Sequence, residues 1–161
     1  MKVEPSPAVG NSVIANEAKQ QHPASGISFN YFEGDWDSLP DFSRLNPLKT
    51  GTIKTVSLNP ADQKEYYAFQ FEGWIKIASS DVYAFYADSD DGSDLLIDGK
   101  PVVNNDGLHG MKETEGTIAL EKGFHKIIVR FFQKTGSADL VVSWRSTRIK
   151  KQVIPTEVLF H

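Results

Sequence analysis

The protein has 161 residues and a net charge of −4, which exclude two full-sized domains and argue against a nucleic-acid binder that works by neutralising phosphates. Without cysteine it has no disulfide, no thiolate metal site and no cysteine nucleophile. No run of the sequence approaches the roughly 18 apolar residues of a membrane span.

Residues 1–25 are predicted to be a linker or the tail of a preceding domain. Pro5, Pro7 and Pro23 interrupt the segment, and it contains no aromatic residue. Its one helix-like run, residues 12–21, is too short and polar to be stable alone. The folded domain is therefore predicted to span residues 26–161.

From residue 26 onward, apolar residues recur at a period of two, which is typical of strands. The alternating runs are 27–31, 67–71, 75–77, 82–87, 127–132 and 140–144. The 82–87 run is apolar on both faces and is predicted to be central in its sheet. Asp98-Gly99 and Lys122-Gly123 predict tight hairpin turns. Many short strands with turns between them predict an all-β fold, an antiparallel β-sandwich or a jelly-roll-like barrel.

One set of residues is predicted to form the core, because each lies on an apolar side of an alternating strand. The set is Phe69, Phe71, Ile77, Tyr86, Leu96, Ile127, Val129, Phe131, Val142 and Trp144.

The densest group of charges is residues 88–94, where four aspartates fall within seven residues. Clustered carboxylates repel one another unless a cation lies among them, and Ca²⁺ prefers carboxylate and carbonyl oxygens. A solvated acidic loop explains the same composition, and both interpretations stay open. The spacing is not that of an EF-hand.

Residues 104–110, Asn-Asn-Asp-Gly-Leu-His-Gly, are typical of a turn-rich loop. Within it, His109 is either a ligand contact or a residue that hydrogen-bonds the turn. Trp36, between two aspartates, is the tryptophan that best suits a surface position from which it stacks on a sugar ring, whereas Trp74 and Trp144 lie in alternating strands and are predicted to pack in the core.

No motif of a known enzyme class is present. The sequence lacks G-x-S-x-G, H-E-x-x-H, a P-loop and G-x-G-x-x-G, and no two of its four histidines have the local spacing of a zinc pair. A glycosidase pair of carboxylates is a spatial feature that the sequence leaves open. The prediction is a binding domain with no catalytic residues.

Residues 83–103 resemble the signature of the PA-fourteen domain, the lectin domain of the anthrax-protective-antigen type. They contain an aromatic strand, S-D-D-G-S, an apolar strand and I-D-G-K. The beginning of the domain is similar to a bacterial subgroup appended to secreted glycoside hydrolases and sulfatases. Further segments that resemble the family are residues 31–36, 39–42, 105–110, 117–130 (as a hairpin), 136–144 and 154–161.

The resemblance implies an antiparallel β-sandwich in which two adjacent aspartates, joined by a cis peptide, hold Ca²⁺. The matching pair is Asp90-Asp91. The family's later loop, which supplies an asparagine ligand, maps to residues 134–139, where Asp139 is the only carboxylate and no asparagine is present. The expected metal site is therefore Asp90, Asp91 and Asp139.

The function implied by the resemblance is that of a non-catalytic carbohydrate-binding module of a secreted bacterial glycan-degrading protein, with Ca²⁺ as the expected cofactor. Its partners would be a glycan and a catalytic domain of the same parent chain, and its location secreted, periplasmic or cell-surface. The alternative is a structural or protein-interaction domain that packs against a catalytic neighbour without a sugar. The expected carbohydrate-binding residues are Asp90, Asp91, Asn105, Asp106, His109 and Trp36.

Overall fold

The computed structural model describes residues 24–161. The predicted linker lies outside them except for its last two residues. Both contact the end of the chain: Ser25 forms an isolated bridge with Phe160, and the His161 N–H donates to the Ala24 carbonyl over 2.9 Å. No helix in these residues is long and apolar enough to cross a membrane.

The regular structure consists of strands and two short 3₁₀-helices, Phe42–Arg44 and Thr156–Val158, and residues 24–161 contain no α-helix. The strands are β1 Ile27–Glu33, β2 Lys49–Ile53, β3 Tyr67–Ile77, β4 Asp81–Asp90, β5 Ser93–Ile97, β6 Lys100–Asn105, β7 Lys112–Leu120, β8 Gly123–Gln133, β9 Asp139–Arg145, β10 Gln152–Val153 and β11 Leu159–Phe160. The two predicted runs 67–71 and 75–77 are halves of the single strand β3.

The strands form two antiparallel sheets. The larger has the order β2-β1-β3-β8-β5-β6, with β11 also paired to β3, and the smaller has the order β10-β9-β4-β7. The predicted antiparallel β-sandwich is confirmed, and β4 is an inner strand of its sheet as its two apolar faces predicted. At one edge the sheets meet closely, because a Cβ at Gly116 in β7 would lie 1.6 Å from the Val102 carbonyl oxygen in β6.

The core lies between the sheets. Eight of the ten residues predicted to be in the core belong to the main cluster of buried residues: Phe69, Phe71, Ile77, Ile127, Val129, Phe131, Val142 and Trp144.

One core prediction is wrong, and a second is confirmed for burial but not for the face on which the residue lies. Leu96 is only half-buried, while Leu95 and Ile97 on either side of it are fully buried. Tyr86 is buried, but it lies on the outer face, where its hydroxyl accepts a 2.9 Å hydrogen bond from Arg145 and its ring lies under the Lys151 ammonium. Both residues belong to runs that are apolar at every position, so the alternation does not distinguish the two faces.

One hairpin prediction is confirmed and one is wrong. Asp98-Gly99 joins the paired strands β5 and β6, and both residues have positive φ, 51° and 78°. Lys122-Gly123 instead leads from β7, which pairs with β4, to β8, which pairs with β3 in the other sheet. The 117–130 segment is therefore a crossover between sheets and not a hairpin.

A second, smaller cluster lies on the outer face of the larger sheet. Phe32, Phe42, Ala68 and Phe132 are buried there, with Trp36, Leu39 and Leu45 packed against them. The segment between β1 and β2 thus covers part of this face, and it brings Trp36 and Leu39 to the end of the sandwich where β4 ends and β5 begins.

Candidate functional site

The aspartate-rich segment is the turn between β4 and β5. Along β4, Ser89 is fully buried while Asp88 and Asp90 are half-exposed, as strand alternation requires. The Asp90–Asp91 peptide bond is cis, and Asp91 is buried, with 7% of its surface exposed. Gly92 follows, and a Cβ there would lie 2.5 Å from the Phe132 ring and 2.7 Å from the Gly107 nitrogen, so that only glycine fits.

Asp91 joins three loops. Its Oδ1 accepts a 3.3 Å hydrogen bond from the His109 backbone N–H, and its Oδ2 accepts a 2.9 Å bond from the Lys134 backbone N–H. The loop after β6 and the loop after β8 therefore converge on the end of β4. Bonds from N–H groups to a buried carboxylate are charge-assisted and fix both loops against it.

Negative charge at this end of the sandwich is incompletely balanced. Burial and the neighbouring Asp91 carboxylate raise the pKa of Asp90, and His109 partly opposes the shift. Burial, Glu113 and Asp139 raise the pKa of Asp88, with Lys151 acting against them. A cation placed at the Asp90–Asp91 pair would relieve the repulsion between the two carboxylates.

His109 lies beside this pair and is held by the backbone of its own loop. Its Nε2 lies 2.7 Å from the Asn105 carbonyl oxygen, and its Nδ1 lies 2.8 Å from the Gly110 carbonyl oxygen. The imidazole is half-buried. It therefore combines a loop-stabilising role with proximity to Asp90.

Asn105 is a structural residue. Its side chain is buried, and its Nδ2 lies 2.8 Å from the Lys112 carbonyl oxygen, 3.1 Å from the Ala87 carbonyl oxygen and 3.2 Å from the Ser89 Oγ. Its Oδ1 accepts a 2.9 Å bond from the Thr114 hydroxyl. These contacts saturate the amide, which leaves it no donor for a sugar.

Asp106 and Trp36 lie to the side of the pair. The Oδ1 of Asp106 accepts hydrogen bonds from the N–H groups of Leu39 (2.8 Å) and Gly107 (2.7 Å), which connects its loop to the segment after β1. Trp36 is half-buried and its ring folds over Gly34, where a Cβ would lie 2.5 Å from it. One part of the indole therefore packs inward while the rest stays at the surface.

Lys134 is a site residue that the sequence analysis missed. Its backbone N–H binds Asp91, while its ammonium lies 3.2 Å from Asp35 and also pairs with Asp37. It thereby joins the Trp36 loop to the buried carboxylate. No local pattern predicts this role, because Asp91 and Asp37 are 43 and 97 residues away from Lys134 in sequence.

Of the three predicted metal ligands, Asp90 and Asp91 lie side by side and are joined by the cis peptide bond. Asp139 is opposite Asp90 in the β4–β9 register, but it is exposed and its Oδ1 accepts the Leu140 N–H over 2.8 Å. Within residues 24–161 no three His, Cys, Asp or Glu side chains are arranged to hold a metal ion. Two carboxylates fit a hard cation whose remaining ligands are backbone carbonyls and water.

The comparison with protein families supports the resemblance described from the sequence motifs. Residues 13–157 match the PA14 domain family, the PA-fourteen domain that the sequence resembles. The match begins within the segment predicted to be a linker.

Among curated proteins, the chain is 25% identical over 137 residues to the anti-sigma-I factor RsgI3 of Acetivibrio thermocellus, covering 84% of this chain and 21% of that protein. Among solved structures, an anti-sigma factor domain-containing protein from Clostridium clariflavum is 26% identical with a TM-score of 0.72, over 85% of this chain and 47% of that one. The chain thus spans about a fifth of the curated relative and about half of the solved one.

A third protein shares the fold at lower identity. The PA14 sugar-binding domain from RTX adhesin is 14% identical with a TM-score of 0.72, over 86% of this chain and 99% of that domain.

Proposed function

The chain belongs to the PA14 domain family, and on that basis we propose that it is a non-catalytic glycan-binding domain whose binding centre is the Asp90–Asp91 end of the sandwich. The sugar-binding domain of the RTX adhesin supports the proposal as a protein of the same fold. The observation that carries it is the convergence of two distant loops on Asp91, next to an Asp90 carboxylate whose pKa burial and Asp91 raise.

In this proposal Asp90 and Asp91 hold Ca²⁺, which when bound accepts vicinal sugar hydroxyls as ligands. The backbone N–H groups of His109 and Lys134 hold the Asp91 side chain in a fixed orientation. In this proposal His109 and the exposed part of Trp36 also contact the sugar. Asp139 contributes charge near the site and not a direct ligand.

The test is a glycan array probed with the purified domain, once in Ca²⁺ and once after chelation. We expect binding in Ca²⁺, loss of binding after chelation, and loss of binding in Asp91→Asn. The matched control is Asp62→Asn, because Asp62 is an exposed carboxylate paired with Lys49 elsewhere on the surface. Binding that survives chelation and Asp91→Asn would contradict the proposed centre.

A second candidate function is a structural or protein-interaction domain that binds no sugar. It is favoured by two observations: the late loop, residues 134–139, has no asparagine, and the amide of Asn105 is committed to internal hydrogen bonds. No glycan bound under any condition of the array would favour this function.

We further propose that the domain is the recognition part of a longer protein. The two relatives named as anti-sigma factors contain a similar segment within longer chains. A secreted, periplasmic or cell-surface location in a bacterium would bring the domain into contact with glycans. A catalytic domain in the same parent chain remains part of the proposal, and sequencing of the complete gene tests it.

A further inference from the structure

A groove with a volume of about 520 Å³ lies on the outer face of the larger sheet. One wall is the segment 39–41, and the floor and opposite wall come from β5, β6 and β8. Asp90, Asp91, His109 and Trp36 do not line it. The groove is therefore separate from the proposed calcium centre.

The floor of the groove is an ion pair between Asp94 and Arg130. Arg130 donates from Nε to Oδ1 over 2.8 Å and from Nη2 to Oδ2 over 2.5 Å, a bidentate arrangement. The Asp94 side chain is 15% exposed and the Arg130 side chain is 32% exposed, so both still reach solvent. Among residues 24–161, Arg130 uses only Nε and Nη2 in these bonds, which leaves Nη1 to donate to a ligand.

The walls are fixed by hydrogen bonds. Asp106 accepts from the Leu39 N–H over 2.8 Å and so joins the first wall to the loop after β6. Asp41 accepts from the Ser43 N–H over 3.1 Å at the start of the 3₁₀-helix. This arrangement places apolar Leu39 and Pro40 on one side of the groove, with Pro101 also lining it.

The charges of the groove select the class of ligand. Three carboxylates, those of Asp41, Asp94 and Asp106, line the groove. Arg130 pairs with Asp94, and Arg44 lies 3.4 Å from Asp41, so two of the three negative charges are balanced and the groove carries little net charge. A neutral ligand that both donates and accepts hydrogen bonds, and that has apolar C–H faces, can use the carboxylates, the guanidinium and the proline and leucine surfaces together.

We propose that this groove is a second saccharide subsite, one that binds a neutral sugar unit without a metal ion. The inference rests on the proposed function and extends it. Asp94 is three residues after Asp91, so their Cα atoms are at most about 11 Å apart. This distance is short enough for a glycan anchored at Asp90–Asp91 to reach the groove with a further sugar unit, so we expect the domain to recognise more than one unit.

The test is a ¹H–¹⁵N NMR titration of the domain with glucose, cellobiose, maltose and xylobiose, in Ca²⁺ and in EDTA. In EDTA we expect at least one saccharide to shift the backbone amides of Leu39, Asp94 and Asn104. Asp94→Asn is expected to weaken this binding at least severalfold. Glu72→Gln is the matched control, because Glu72 pairs with Lys126 on the same outer face but outside the groove.

The two proposals fail in different ways. If shifts in Ca²⁺ are confined to the amides of Asp91, Gly107 and His109, the calcium centre stands and the groove proposal is wrong. If the groove amides respond in EDTA while the Asp91 region never does, the groove proposal stands and the calcium centre is wrong. Groove shifts produced by tetralysine and by no saccharide would assign the groove to a cationic peptide and overturn the proposal.

Discussion

Asn105 shows how a polar residue in a candidate loop can serve the fold. The residue ends β6, and its side chain enters the sandwich instead of facing the loop, where it bonds to β4 and β7. The sequence Asn-Asn-Asp-Gly does not reveal which asparagine is buried, since both side chains suit a turn.

Replacing the buried amide is expected to destabilise the domain. Asn105→Ala leaves the carbonyls of Ala87 and Lys112 without their partner, so the free energy of unfolding should fall by roughly 2–4 kcal/mol. Urea denaturation measures the change. Asn104→Ala is the control, because Asn104 is adjacent and exposed; equal losses in the two variants would refute the structural role of Asn105.

His125 makes stability depend on pH. Burial lowers its pKa, but hydrogen bonds to Asp98 (2.6 Å) and to the Glu121 carbonyl (2.7 Å) outweigh burial and raise the pKa above the usual 6.5. The protonated form is thus favoured in the folded state. The stabilisation is complete below the unfolded pKa and is lost as pH rises through the folded pKa.

The expected result is an unfolding free energy that decreases, relative to His125→Gln, as pH rises from about 6 through the raised pKa of His125. Asp98→Asn should flatten the same dependence. Chemical denaturation across this pH range measures it. An identical pH profile in wild type and His125→Gln would show that the imidazole does not contribute in this way.

At the scale of elements, alternation predicted the strands well where only one face was apolar. In β3, Phe69 and Phe71 face inward as expected, and the polar Gln70 and Glu72 alternate with them. In β5 the run Leu95-Leu96-Ile97 is apolar on both faces of the strand, and the pairing with β6 shifts register between Leu95 and Leu96. For such a strand, the packing of neighbouring strands determines which face points into the core.

The orientation of β5 is tested by a pair of adjacent substitutions. Leu95→Ala removes a fully buried side chain and should cost about 2–5 kcal/mol. Leu96→Ala, on the half-buried outer side, should cost about 1 kcal/mol or less. Thermal or urea denaturation of both variants gives the comparison, and a larger loss for Leu96→Ala would mean that the faces of β5 are reversed.

The β7–β8 connection shows that a local turn signal does not predict which strands pair. Glycine after lysine suggested a hairpin, yet the two strands belong to different sheets. A turn signal reports that the chain changes direction, whereas strand pairing depends on contacts that are distant in sequence.

At the scale of the whole molecule, the candidate site is assembled by contacts between distant segments. The sequence pointed to Asp90, Asp91 and His109, which the fold brings together. Asp139 was expected among the ligands, but its side chain bonds its own strand, and Lys134 was missed because its partners Asp37 and Asp91 lie far away in sequence. Residue types suggested which side chains are candidate ligands, and the fold decides which of these side chains converge.

The most direct measurement of the central claim is the melting temperature of the domain as a function of Ca²⁺ concentration. A ligand that binds the folded state stabilises it by about 2.7 kcal/mol at one hundred times its dissociation constant, and more at higher concentration. We predict that Ca²⁺ raises the melting temperature of wild type and of Asp62→Asn, and that Asp90→Asn and Asp91→Asn abolish the increase. Equal melting temperatures in Ca²⁺ and in EDTA, for wild type and for all three variants, would contradict this prediction.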